Sequence, residues 1–247
     1  MTLKCISTGS HGNCYLFIDS IGKILIVEAG VKIRKIKEAI NFILSNVVGC
    51  ITTHEHTDHF SGCRDLMRIG IDVYATRETH ESKNTQNQHR AKFIQPLSTF
   101  SLGPFNILAF PVEHDAANPV GFIIQHKECG RTIFLTDSYY VKYRFKKIDN
   151  ILLEVNYSDE IIQHNIENER SSNFLRERIL KSHMELSTAI DFLAANDLSN
   201  VRQIFLIHLS STNSSIPHFE KKIRQATGKP TTALLDNSVV NISTNPF

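Results

Sequence analysis

The residues best able to do chemistry are concentrated in one heptapeptide, Thr53-His54-Glu55-His56-Thr57-Asp58-His59. Imidazoles and carboxylates packed this densely suit borderline divalent cations such as zinc, manganese or iron. The alternation of His54 and His56 can put both rings on one metal. Asp58 and His59, one turn further on, can serve a second. The cluster follows an apolar run, Val47-Val48-Gly49-Cys50-Ile51-Thr52, that reads as a buried strand, so its ligands are expected in the loop where that strand ends. Other ligand-type residues stand in the same setting. His114 follows the strand-like stretch Asn106 to Val112, Asp137 ends Thr132 to Thr136, and His208 ends Gln203 to Ile207.

The pattern His-x-His-x-Asp-His resembles the signature of the metallo-β-lactamase fold superfamily, which draws its remaining ligands from strand ends in the order shown by His114, Asp137 and His208. Within it the chain looks closest to the YycJ/WalJ-type branch and its small phage-encoded relatives. The likeness rests on Gly9-Ser10-His11-Gly12-Asn13-Cys14, on His114-Asp115-Ala116-Ala117-Asn118-Pro119-Val120-Gly121, on His208-Leu209-Ser210 with Asn213, and on Lys181-Ser182-His183-Met184-Glu185-Leu186. The resemblance implies an α/β chain folded as a single-domain αββα metallo-β-lactamase sandwich over residues 1–247. It also implies a dinuclear phosphodiesterase, best read as a DNA exonuclease of phage-type recombination or repair. His54, His56 and His114 would hold one manganese or zinc ion and Asp58, His59 and His208 the other, with Asp137 as the bridge. A metal-bridging hydroxide would attack the phosphodiester. Asp58 thereby counts as catalytic as well as metal-binding, and His183 is the expected proton donor to the leaving group. Glu28 stands where the family has aspartate, and it inherits the task of orienting the metal loop across one extra methylene.

Substrate contacts are expected at two places. Ser10, His11 and Asn13 offer donors to a phosphate from the glycine-bearing first loop. Tyr140, Lys142 and Arg144, in a run that also holds Tyr139, Tyr143, Phe145, Lys146 and Lys147, interleave aromatic rings for bases with cations for phosphates. Arg170, Arg176, Arg178 and Lys181 extend the basic surface. DNA ends are therefore the expected partner; the family resemblance, not these residues, further implies a phage single-strand annealing protein and a second copy of the chain. The alternative reading is a cyclic-nucleotide phosphodiesterase that degrades defence second messengers; it needs a closed, base-sized pocket where a nuclease needs an open basic groove. A lesser alternative is a catalytically weak recombination partner protein. His80, His89, His126, His164 and His218 lack a ligand setting and read as surface residues.

The elements that must position these groups can be placed coarsely. Strands are expected at Leu3 to Ser7, Cys14 to Asp19 and Lys23 to Glu28, then a helix through Ile33, Ile36, Ile40 and Ile43. A short helix over Ser61 to Ile69 follows the metal loop, then a strand at Asp72 to Ala75 and an exposed polar stretch from Glu78 to Arg90. Strands flank Ala116 to Pro119, another covers Ile151 to Val155, and helices are expected over Glu160 to Arg178 and along a stripe of Leu186, Ile190, Leu193 and Ala194. With 247 residues and 41% hydrophobic content, one sizeable core is affordable, and a net charge of +2 neither demands nor excludes a polyanion. No apolar run spans a membrane, the N-terminus lacks a signal-peptide pattern, and Cys5, Cys14, Cys50, Cys63 and Cys129 are scattered among apolar neighbours. These features point to a cytoplasmic protein with reduced cysteines.

Overall fold

A computed structural model of the chain describes residues 1–168 and 173–244. Arg170 and the side chain of Arg178, both expected in the basic surface, lie outside the described residues. The elements run in the order β1 (Thr2–Ser7), β2 (Cys14–Ile18), β3 (Ile24–Val27), α1 (Ile33–Ala39), β4 (Val47–Ile51), α2 (Thr57–Phe60), α3 (Cys63–Arg68), β5 (Val73–Ala75), α4 (Arg77–Ser82) and β6 (Ala91–Phe93). Then come β7 (Thr99–Leu102), β8 (Phe105–Pro111), β9 (Val120–His126), β10 (Gly130–Leu135), β11 (Asn150–Glu154), α5 (Asp159–Glu167), α6 (Asn173–Ser182) and α7 (Leu186–Ala194). The last are β12 (Gln203–Ile207), α8 (Ile216–Thr227), β13 (Thr231–Ala233) and β14 (Val239–Asn241). They divide between two compact units. One takes Met1–Pro111, Ala116–Gly130 and Leu235–Phe247; the other takes Val112–Asp115 and Arg131–Leu234.

In the first unit, seven strands pair in the order β14-β1-β2-β3-β4-β5-β6. β14 to β3 are antiparallel, and β3 to β6 are parallel and joined through helices. Ile6, Leu16 and Ile26 of the strands meet Ile36 of α1, Phe60 of α2 and Leu66 of α3 in one apolar cluster. Because β3 and β4 run side by side with Val27 opposite Ile51, their C-terminal ends deliver Glu28 and Thr52 to the same sheet edge. β7, β8 and β9 form an antiparallel meander in the same unit. The second unit is built on four parallel strands in the order β10-β11-β12-β13. Their near-continuous apolar runs, such as Ile151-Leu152-Leu153, are what strands buried on both faces require. Parallel pairing again brings strand ends together: Leu135 faces Leu153 and Glu154 faces Ile207, so Asp137, Glu154 and His208 emerge at one carboxyl edge.

Several expectations are corrected. α1 stops at Ala39 rather than running to Ile43, because Asn41 and Phe42 take left-handed backbone angles; Phe42 and Ile43 are exposed. Helix begins earlier than Ser61, inside the metal loop, where α2 takes Thr57 to Phe60. The buried stripe of α7 is Leu186, Ala189, Phe192 and Leu193; Ala194 faces out and Ile190 is half-buried. The stretch 78–90 is not simply exposed. α4 runs into it from Arg77, and His80, fully buried, shares a hydrogen bond with Thr85 Oγ1 at 2.9 Å. His126 is also buried, at 2% exposure. Burial holds both imidazoles below their ordinary range, so they are neutral core histidines. All five cysteines are free and buried, as expected. Burial pushes the Cys5 thiol up to about 12, with Asp236 adding to the shift, and raises Cys14 and Cys63 well above the ordinary value. Such thiols are inert.

Candidate metal centre

In the first unit, the metal loop leaves β4 and turns directly into α2, which carries Asp58 and His59 in its single turn. His54 and His59 are buried, with ring centroids 4.3 Å apart, and the His56 ring stands edge-on to His54 at 4.6 Å. His59 Nε2 lies 3.3 Å from Asp58 Oδ2. Four residues expected as ligands are thus gathered here. Glu28 is fully buried behind them: Thr52 Oγ1 donates to its carboxylate at 2.7 Å, the Thr53 backbone N–H donates at 3.2 Å, and His59 Nδ1 lies 3.5 Å away. Glu28 itself takes a left-handed backbone, φ 63°, a conformation non-glycine residues rarely adopt.

The loop is clamped from outside. Asn13 was expected to offer donors to substrate phosphate; instead it is fully buried and its carboxamide is engaged by the protein. Its Nδ2 donates to the Gly9 and Asp58 carbonyls, at 3.1 and 3.3 Å, and lies 3.1 Å from His59 Nε2, while Gly9 N–H donates to its Oδ1. Segment 29–30 closes the other side, with Ala29 N–H donating to the His59 carbonyl and Gly30 N–H to that of Asn13. A Cβ on Gly30 would sit 1.5 Å from the Asp58 carbonyl oxygen, so only glycine permits this approach. Ser10 and His11 do remain exposed, and His11 Nε2 pairs with Asp236 at 3.1 Å. Asp236 also accepts from Thr8 N–H, a role with no local motif to announce it.

In the second unit, His114, Asp137, His183 and His208 come together with Glu154, which the sequence did not single out. Asp137, Glu154, His183 and His208 each bring a ligand atom within 4.8 Å of the others. His114 Nδ1 donates to the Ser182 carbonyl at 2.7 Å, which leaves Nε2 as the lone-pair nitrogen, 3.7 Å from Asp137 Oδ2. His208 Nδ1 is 3.4 Å from Asp137 Oδ1, and Asn156 Nδ2 donates to the His208 carbonyl at 2.9 Å. Asp137 and His208, like Glu28, have positive φ, 47° and 52°, so the chain bends sharply just past each of these strands. Glu154 Oε1 lies 2.7 Å from His183 Nδ1, and its Oε2 accepts from the Ser138 backbone N–H at 3.0 Å. Burial disfavours both charges of the Glu154–His183 pair. Their mutual attraction and hydrogen bond outweigh it, so Glu154 is held below the carboxylate range and His183 above the imidazole range. The available signal for Glu154 was its place at the end of an apolar run, the same setting that marked Asp137 and His208.

These donors fit a divalent cation. Two buried carboxylates, Asp137 and Glu154, stand side by side facing imidazoles, an arrangement that is costly without positive charge and favourable with it. Asp19, His126 and Glu128 of the first unit form a further histidine–carboxylate group. There the Glu128 N–H donates to His126 Nδ1, so Nε2 keeps its hydrogen, 3.6 Å from Asp19 Oδ2 and beyond hydrogen-bond distance, and neither ring nitrogen offers a lone pair to a metal.

The expected base-and-phosphate segment, 139–147, carries Tyr139 and Tyr140 on the surface, 40% and 55% exposed, with Lys142 and Arg144 also exposed. Phe145 is the exception. It is buried against Phe192, with ring centroids 6.3 Å apart, and cannot stack on a base.

Residues 32–209 match the Beta-lactamase superfamily domain. Exodeoxyribonuclease WalJ of Streptococcus pneumoniae serotype 2 (strain D39) is 28% identical over 228 residues, covering 85% of this chain and 81% of that one. Exodeoxyribonuclease YycJ of Bacillus anthracis is 29% identical over 226 residues, covering 85% and 82%. Among solved structures, the metallo-β-lactamase fold protein YhfI from Bacillus subtilis superposes with a TM-score of 0.71 at 15% identity, covering 97% of this chain and 99% of that one. The chain therefore belongs to the beta-lactamase superfamily and is a metallo-hydrolase of the metallo-β-lactamase fold.

Proposed function

We propose that this protein is a dinuclear-metal phosphodiesterase that degrades DNA from an end. The observation that carries the reading is the second unit's ring of imidazoles around the buried carboxylates Asp137 and Glu154. The relatives named as exodeoxyribonucleases support DNA as the substrate. In this reading His54, His56 and His114 would hold one ion and Asp58, His59 and His208 the other, with Asp137 a ligand to both. When bound, a pair of manganese or zinc ions supplies a water nucleophile at neutral pH and neutralises charge on the phosphoryl oxygens.

The chain's own residues do the rest. Glu28 fixes the metal loop through Thr52 and Thr53, so the imidazoles need no reorganisation when substrate arrives. Glu154 accepts from His183 Nδ1 and so sets the ring's orientation, leaving Nε2 as the nitrogen available to the leaving group. The Glu154 carboxylate raises the basicity of His183 against the effect of burial and so favours the protonated ring, the form that a donor to the departing alkoxide must take. Five free, buried thiols fit a reducing cytoplasm. The likeness of Lys181 to Leu186 to phage relatives supports work in recombination or repair beside a single-strand annealing protein; a homodimer is part of the same proposal, on the superfamily resemblance alone.

The test is cleavage of end-labelled single- and double-stranded DNA by protein reconstituted with manganese or zinc, beside His56→Ala and Asp137→Ala and a panel of cyclic nucleotides. Stepwise loss of nucleotides from one end, abolished in both variants, is the expected result. Near-normal activity in Asp137→Ala would refute the dinuclear arrangement. One observation favours the cyclic-nucleotide alternative: a cavity of about 300 Å³ lies between segment 140–144 and α7. Inert DNA with hydrolysed cyclic nucleotide would establish that alternative.

A further inference from the structure

The same cavity carries a more specific inference. One wall is α7 with its C-cap Ala195, through Thr188, Asp191, Phe192 and Ala195, the i, i+3, i+4, i+7 spacing of a single helical stripe. Phe192 on that wall and Met184 beneath are buried and apolar. Opposite, Tyr140 and Tyr143 bring phenol rings, and Lys142 sets its ammonium 5.3 Å from the Tyr143 ring centroid. The segment is fastened to the helix rather than draped over it. Arg144 donates to the Ala195 carbonyl at 2.8 Å, Phe145 N–H donates to Asn196 Oδ1 at 2.5 Å, and the Phe145 ring packs on Phe192. The cavity is therefore part of the fold.

Its position ties it to the chemistry. Tyr140 follows Asp137 by three residues, and Met184 follows His183 directly, one Cα step of about 3.8 Å away. We propose that this cavity is a nucleobase subsite, which receives one unpaired base of the DNA strand while its phosphate lies at the metal centre; the proposal rests on the phosphodiesterase reading above. About 300 Å³ is at the small end of ligand pockets, enough for a single nucleotide and too small for a base pair. Aromatic rings stack on any base, worth about 1–3 kcal/mol per base in single-strand binding proteins. The Asp191 carboxylate accepts from the amino group of adenine, cytosine or guanine, which thymine lacks. Lys142 meets the neighbouring phosphate. The substrate is accordingly a single strand or a frayed end, read one base at a time.

The chain has no tryptophan, and three of its six tyrosines, Tyr139, Tyr140 and Tyr143, lie in this segment, so the part of the tyrosine emission that Ala195→Phe alters reports on it. Metal-free protein is titrated with each deoxynucleoside 5′-monophosphate and with 2-deoxyribose 5-phosphate. The expected result is quenching by the nucleotides at concentrations at least tenfold below those needed for the sugar phosphate, with thymidine monophosphate the weakest nucleotide. Ala195→Phe, an exposed position that fills the cavity from its helical wall, should lose this quenching at an unchanged melting temperature. In parallel, reconstituted wild-type protein should cut a strand ending in an abasic residue at least tenfold more slowly than an intact one. Equal binding of sugar phosphate and nucleotide, or equal cleavage of abasic and intact ends, overturns the subsite. Nucleotide binding that is lost in Ala195→Phe, with DNA left intact by the wild type, retains the pocket and overturns the nuclease reading instead.

Discussion

His183 and Glu154 act as one unit, and their coupling can be tested on each partner. His183→Ala should lower turnover roughly 10²–10⁴-fold, the range of a placed proton donor, with metal content unchanged by elemental analysis. Equal loss of metal and activity would move the ring from proton transfer to metal binding. Its protonation can be followed without metal. Burial lowers the basicity of this imidazole, but the Glu154 charge and hydrogen bond raise it by more, so the net shift is above 6.5. A raised imidazole stabilises the fold fully below 6.5, and that contribution is lost as pH climbs through the raised value; the depressed Glu154 contributes above 4.5 and is lost on acidification. In metal-free Glu154→Gln, the ring proton resonance of His183 should titrate at lower pH than in wild type. An unmoved midpoint would show that Glu154 does not set it. The metal-ligand candidates were legible in the sequence because histidine and aspartate at strand ends are rare and clustered. Glu154 was not: one glutamate closing an apolar run has no spacing partner to distinguish it from a solvated charge.

At the level of elements, the strands that carry the site were read to within a residue or two, because buried parallel strands are uninterrupted apolar runs. Gln203 to Ile207 matches β12 in full, and the expected Val47 to Thr52 overran β4 by the single residue Thr52. What failed were helix ends and faces. The isoleucine repeat suggested that α1 reaches Ile43, yet left-handed turns at Asn41 and Phe42 stop it earlier, a conformational choice that hydrophobic period does not encode. β7, β13, β14 and α8 also escaped notice, the first three because strands of three or four residues are too short for alternation to register. Segment 29–30 shows how one small element governs another. Gly30→Ala places a methyl on the Asp58 carbonyl, so the contact between this segment and α2 must open. We expect a loss of several-fold to a hundredfold in metal affinity, the range seen when groups behind the ligands are disturbed. Calorimetric titration with zinc checks this, and wild-type affinity in Gly30→Ala would show that the clamp is dispensable.

For the whole molecule, metal and stability should be linked. A ligand that binds only the folded chain raises its stability by about 2.7 kcal/mol at a concentration one hundred times its dissociation constant. Chelation should therefore lower the melting temperature reversibly, and the drop should vanish in His56→Ala; a melting temperature indifferent to chelator would mean that no ion contributes to the fold. No described helix is long and apolar enough to cross a membrane. The pairing of β14 with β1, Lys4 opposite Val239, joins segments from opposite ends of the sequence within one unit. Its consequence appears during synthesis. When β1 leaves the ribosome, the strand that covers its outer edge has yet to be made, Val239 following Lys4 by 235 residues, so a row of backbone donors and acceptors stays open while those residues are added. At about 5–20 residues per second that exposure lasts on the order of ten seconds or more, long enough for an uncovered edge to find a neighbouring nascent chain.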